Sequence, residues 1–168
     1  NYRAFEVLNL GKYERELFIA NMGKPSDELQ NQIDANKEKS FVDLILRAYN
    51  AQNISGFKSF YGIKNNRMIS IGPVDIPASR LFAEEIINEA INNKITKVDL
   101  LSFEFEMGLF PSVQEEAKEQ GIDFNLKHIP KEVFDPRAVQ SGDVRFHDVA
   151  FIDVKTHFKE EMLCFELF

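Results

Sequence analysis

Tryptophan is absent from the 168 residues, and cysteine occurs once. One thiol closes no internal disulfide, so packing has to hold the chain together, and such cysteine usage fits a reducing cytoplasm. No apolar run reaches the ~18 residues that a membrane-spanning helix needs. No secretory leader pattern is present. A basic surplus is missing too. Lys and Arg number 20 against 27 Asp and Glu, a net charge of −7. The excess acid sits in the last third, where residues 111–168 carry 7 basic and 12 acidic groups. A module that grips nucleic acid by releasing counterions usually carries the opposite balance. What the chain does have is 44% hydrophobic content, sixteen Phe and well-mixed charge. That composition excludes bulk disorder and points to one domain with a Phe-rich core.

The pattern along the chain predicts an α/β fold. Residues 5–10 have strand composition, and 14–21 suit a short helix. Ser26 is placed to cap a long helix whose polar part, within 24–40, lies exposed or moves. Phe41, Leu44, Ile45 and Ala48 give that helix an apolar stripe. Runs 57–63 and 67–71 flank Lys64-Asn65-Asn66 and read as a β-hairpin, since Asn tolerates φ > 0. A loop at 72–77 leads to a helix with Phe82, Ile86 and Ala90 on one stripe and Ala83, Ile87 and Ile91 beside it. A strand follows at 97–106, then a capping-box helix from Pro111, Ser112 and Glu115 to Gly121, then an alternating strand at 122–127. Residues 129–143 read as a loop, and 144–154 with 162–168 as a closing antiparallel pair. The expected architecture is a mixed, mostly parallel central sheet with helices packed on its faces and added antiparallel hairpins. Phe82, Ile86, Leu100, Phe103, Phe124 and Leu126 are expected to share one core. The whole of 1–168 reads as a single α/β domain excised from a longer chain, because it opens on Asn1 and stops at Phe168 inside strand-like sequence.

Three constellations could carry chemistry. Gly72-Pro73-Val74-Asp75 with Ser79 lies between a strand and a helix, where backbone N–H groups can hold an anion. The commoner use of Asp75 or Ser79 there is to cap the helix. Glu104 and Glu106 fall on one side of a strand, and Asp75 could join them at the sheet edge. Such carboxylates can bind a divalent metal, as in nuclease-like or hydrolase sites. The lysine that usually follows is missing, since Glu106 stands in its place. A salt-bridged face is the plainer reading, with Arg80 or Arg137 among the acids. Asp135-Pro136-Arg137 reads first as a turn, although Arg137 with Lys127 and Lys131 could meet a phosphate or a partner carboxylate. His128, His147 and His157 lack zinc spacing, and Cys164 suits a buried small hydrophobe. No phosphate-binding P-loop and no nucleophile elbow occurs.

Several of these segments resemble parts of prokaryotic adenine-specific DNA methyltransferases, the large enzymes related to type III modification subunits. They are Ile71-Gly72-Pro73-Val74-Asp75, the run from Val98 through Ser102-Phe103-Glu104-Phe105-Glu106 to Leu109, and the run from Ile129 through Asp135-Pro136-Arg137 to Val139. Val144-Arg145-Phe146 continues the match, and Leu10-Gly11-Lys12-Tyr13-Glu14-Arg15 fits more weakly. Phe103 and Phe105 stand where the family commonly has Trp. In that family these segments lie downstream of the catalytic core. The resemblance implies S-adenosylmethionine as cofactor of the parent enzyme, DNA as its substrate, and a restriction or helicase subunit as a partner. The family's cofactor loop, Phe-x-Gly-x-Gly-like, and its Asp-Pro-Pro-Tyr-like motif for the flipped adenine do not occur between Asn1 and Phe168. No catalytic residue carries over, and the implied role is an accessory one. Two other readings stand beside it. One is a metal-dependent hydrolase using Asp75, Glu104 and Glu106. The other is a pure protein–protein assembly module.

Overall fold

A computed structural model describes residues 30–106 and 112–149, together with two strands at 154–159 and 162–167. The expected strand at 5–10, the helix at 14–21, the Ser26 cap and the Pro111 helix start lie outside the described residues. Helix α1 (Gln30–Tyr49) leads into a six-stranded sheet. In chain order its strands are β1 (Gln52–Asn53), β2 (Gly62–Lys64), β3 (Arg67–Ile71), β4 (Lys97–Ser102), β5 (Asp123–His128) and β6 (His147–Asp148). They follow that same order in space. The three central strands β3, β4 and β5 are parallel, and the outer strands pair antiparallel on both sides. The parallel connections are made by α2 (Arg80–Asn92) and α3 (Ser112–Glu119). The structure is therefore the expected α/β fold with a mixed, open sheet.

Side-chain alternation along the parallel strands separates two cores. On one face the rungs Met68–Val98–Phe124 and Ser70–Leu100–Leu126 run across β3, β4 and β5. Against them pack Ala83, Ile86, Ile87 and Ala90 of α2 and Val113 and Ala117 of α3. On the other face Ile69, Ile71 and Leu101 meet Phe41, Val42, Ile45 and Leu46 of α1, with Ile129 and Val133. Strand β4 is covered on both faces, which is why it reads as an almost continuous apolar run. Asp99 alone interrupts it.

Asn65 and Asn66 make the β2–β3 turn, with φ of 49° and 62°. Both central residues of a type I′ hairpin turn need positive φ, and Asn accepts it at low cost. Gly62 opens β2 because α1 lies on top of it. A Cβ there would come within 2.5 Å of Leu46 Cδ2 and 2.9 Å of the Gln52 carbonyl oxygen. The strand is shorter than the expected 57–63, and the Lys58 and Ser59 N–H groups go to Glu89 of α2 rather than to a strand partner.

Several expectations need correction. The α1 stripe is Phe41, Val42, Ile45, Leu46, Ala48 and Tyr49, and Leu44 is only half-buried. Ile91 of α2 is exposed, past the end of the buried stripe. Phe103 does not share the core of Leu100. It sits with Leu101 on the α1 face, as an odd position must when the period is two. Strand β4 stops at Ser102, whose hydroxyl donates to the Glu104 carbonyl oxygen at 2.8 Å and turns the chain. Only Phe105 pairs again, with Ala78. The stretch 129–143 is not a plain loop. It holds a 3₁₀ turn (Lys131–Phe134) and α4 (Pro136–Ser141), both too short to show helical periodicity in sequence. The closing pair is also different: β7 (Val154–Lys159) pairs with β8 (Met162–Leu167) as a separate two-stranded sheet, while His147–Asp148 adds to β5.

Leu100 is fully buried in the central strand. Leu100→Ala is expected to cost about 2–5 kcal/mol, measured by urea unfolding. Ile91→Ser on exposed α2 surface should stay within about 0.5 kcal/mol.

Candidate functional site

Open α/β sheets bind ligands beyond the carboxyl ends of their strands, where strand order reverses and a crevice opens. The described strands have no such reversal, because β3, β4 and β5 run in sequence order with α2 and α3 on the same face. Their exits are closed by the chain itself. The Gly72 N–H donates to the Leu101 carbonyl at 2.7 Å, and the Ile129 N–H to the Ser102 carbonyl at 2.8 Å. The Phe103 ring stacks on Phe134 with centroids 5.6 Å apart, and Phe105 meets His128 edge-on at 5.2 Å.

The start of α2 gathers most of the residues singled out in the sequence. Ser79 is its N-cap, with Oγ accepting the Phe82 N–H at 3.3 Å. Glu106 Oε2 accepts the Arg80 N–H at 3.1 Å. A carboxylate of the chain thus occupies the position at the helix N-terminus where an anion would bind. The Arg80 guanidinium turns along the surface instead. Its Nε donates to Glu84 at 2.8 Å, and its terminal nitrogens donate to Glu116 at 2.7 and 2.8 Å and to Ser112 Oγ at 3.3 Å. Arg80 therefore ties α2 to α3. Asp75 is exposed in the preceding loop. Glu104 is half-buried, and its carbonyl oxygen accepts the Ala78 N–H. Among the described residues no group of three or more His, Cys, Asp or Glu side chains is placed to hold a metal.

Arg137 lies apart from these residues, exposed on α4. Asp135 caps that helix by accepting the Arg137 N–H at 2.9 Å, with Pro136 at its first position. Lys127 pairs with Asp148 on β6, and Lys131 is exposed in the 3₁₀ turn.

The loop between β3 and α2, which opens on Gly72, does not fit S-adenosylmethionine. A cofactor cradle would need a glycine with open space above it. A Cβ on Gly72 would lie 2.7 Å from Ser102 Oγ, so this glycine lets the loop close on β4. The neighbouring helix N-terminus is already taken by Glu106.

Among the described residues, the polar cluster around Asp99 has no local signature in the sequence. Asp99, buried in β4, accepts from the Tyr49 hydroxyl at 2.9 Å and from Arg67 Nε at 2.5 Å. Arg67 goes on to pair with the Asp123 carboxylate and donates to the carbonyls of Val98 and Asp123, both at 2.9 Å. Lys64 donates to the Tyr49 carbonyl at the end of α1 and lies 3.9 Å over the Tyr49 ring. A cation there also meets the negative end of the helix dipole. These partners are 15 to 56 residues apart in sequence, so no local spacing announces them. One signal was available: an acid inside an apolar, doubly covered strand must find a partner.

Burial, the negative charge of Asp99 and its hydrogen bond hold the Tyr49 phenol protonated well above its ordinary pKa of 10.0. Burial pulls the Lys64 ammonium below its ordinary value, against the attraction of Asp99. A second tie holds the 54–61 segment. The Glu89 carboxylate of α2 accepts the N–H groups of Lys58 at 2.8 Å and Ser59 at 2.7 Å. Burial works to raise the pKa of Glu89, but the bonds from Ser59 and Lys58 outweigh it and hold the group below its ordinary 4.5.

Asp99→Asn leaves Arg67 without its buried counter-charge and should cost roughly 3–5 kcal/mol by denaturant unfolding. The fold favours the neutral Tyr49 phenol, so that contribution is complete below about pH 10 and fades as the unfolded chain ionises above it. Wild type should therefore lose melting temperature more steeply than Tyr49→Phe above pH 10.0. Glu89 has the opposite sign. Its contribution is present above pH 4.5 and lost as pH falls through its lower folded value, so Glu89→Gln should flatten the acid limb of a pH–stability curve.

Comparison with known protein families finds no family model that matches the chain, and comparisons with curated proteins and with solved structures find no match either.

Proposed function

We propose that this chain is an accessory, non-catalytic α/β region of an adenine-specific DNA methyltransferase in a cytoplasmic restriction–modification system. Its work would be DNA placement, target selection or contact with a restriction or helicase subunit. The observation that supports this reading is the convergence of the segments that carry the resemblance. Ile71–Asp75, Val98–Glu106, Ile129–Val139 and Val144–Phe146 are scattered over the chain. Folded, they form the linked exits of the three parallel strands. Ile71 pairs with Leu101, and the Ile129 N–H bonds to Ser102. Phe103, Phe134, Val139, Val144 and Phe146 pack against one core. A family pattern that maintains one scaffold is expected to bring its pieces together in this way. Within those segments Asp99, Glu106 and Asp135 fasten the chain to itself, which suits an accessory region better than a catalytic centre. Among the described residues no helix is long and apolar enough to cross a membrane.

Two measurements test the reading. Incubated with labelled S-adenosylmethionine and DNA, the chain by itself should transfer no methyl group, and calorimetry should find no cofactor binding. The gene that encodes it should specify, upstream, Phe-x-Gly-x-Gly-like and Asp-Pro-Pro-Tyr-like motifs. Its full product should methylate adenine in plasmid DNA and lose that activity, but not cofactor binding, when this region is deleted. Methyl transfer by the chain alone, or a full product with neither motif, overturns the proposal.

A further inference from the structure

Helix α2 buries Ala83, Ile86, Ile87 and Ala90 against the sheet, yet two large apolar side chains at its start face water. Ile76, in the loop before the Ser79 cap, is 63% exposed, and Leu81, in the first turn, is 73% exposed. Neither is needed by the core. Acids surround them. Asp75 adjoins Ile76, and Glu84 and Glu85 lie one turn along α2 from Leu81. Glu106 sits at the Arg80 N–H, and Glu116 is held by the Arg80 guanidinium. The cations nearby are already engaged: Arg80 with Glu84 and Glu116, and Lys58 with Glu85 at 3.6 Å. These neighbours of Ile76 and Leu81, in sequence or through Arg80 and Glu85, are five carboxylates and two cations.

We infer that the shelf of Ile76 and Leu81 docks a basic amphipathic segment of a partner protein. Apolar anchors of such a segment would cover the two side chains, and its Lys or Arg residues would reach the carboxylates around them. Charge decides between the possible occupants. DNA phosphates would meet net negative potential here. A second copy joined through the same patch would set like charges face to face. The inference deepens the accessory-region reading by naming the surface for subunit contact. It rests on that reading only for which protein carries the segment.

The ¹⁵N-labelled chain would be titrated with a synthetic Leu/Lys amphipathic helix of about five turns, its Leu/Glu counterpart and a short DNA duplex. The Leu/Lys helix should perturb amides at 75–85 and 104–106, and added salt should weaken it. Leu81→Ser, melting as wild type does, should lose about tenfold in affinity. Ile76→Ser, in the loop, provides the same reading should Leu81→Ser melt early. Equal binding of the Leu/Glu helix, perturbation spread away from the shelf, DNA binding at these amides or self-association through them each overturns the inference. None of these outcomes depends on the gene's methylation activity, so this proposal and the methyltransferase reading fail separately.

Discussion

A carboxylate buried in the middle strand of a sheet must be compensated, and the placement of Asp99 constrains much of what surrounds it. Its two oxygens take a hydrogen bond from Tyr49 and an ion pair from Arg67. The first fixes the end of α1 over the sheet, and the second draws β3 onto β4. Arg67 then extends the network to Asp123 at the start of β5. The three parallel strands are therefore joined at their amino ends by charge and at their carboxyl ends by aromatic packing. Between these ends the apolar rungs supply most of the burial. An ion pair in such a place adds little net stability over an apolar substitute, but its removal by halves is costly. In the observed alignment of β3 with β4 Asp99 lies opposite Ile69, and Arg67 reaches it from two residues away along β3.

The same economy of charge runs through the rest of the structure. Glu106 and Ser79 serve the amino end of α2, Arg80 joins α2 to α3, and Glu89 holds the Lys58–Ser59 main chain. Each could be taken in isolation for a ligand-binding group. Together they satisfy one another across element boundaries. At the α2 start Ile76 and Leu81 remain exposed, with Asp75, Glu84 and Glu85 near them in sequence. The proposed accessory role and the proposed docking surface both call for contact with a protein partner.

Much of the framework was legible in the residues. Asn65-Asn66 between apolar runs specifies a tight hairpin, because few residues take positive φ twice in succession. The Ile86 stripe specifies a helix, and the alternation at Phe124 and Leu126 a half-covered strand. Ser79 declares a helix start, whereas Asp135-Pro136 reads as a turn and caps a helix only in the folded chain. These signals are local: spacing within one element fixes which side chains share a face.

Pairings between elements had no such signal. Glu106 as the second group at the α2 start, Arg80 turned towards Glu116, and Tyr49 on Asp99 depend on which strands become neighbours and where each one ends. The turn at Ser102 shows why. Continued as a strand to 106, the chain would carry Glu104 and Glu106 along one face of the sheet. A single hydroxyl hydrogen bond to the Glu104 carbonyl ends the strand four residues early and sends Glu106 to a helix cap instead. Composition and periodicity by themselves determined the α/β class, the hairpin and the covered central strand, since these follow from backbone preference and burial within a segment. Partner choice among the charges was decided only in the tertiary structure, where groups far apart in sequence come within hydrogen-bonding distance.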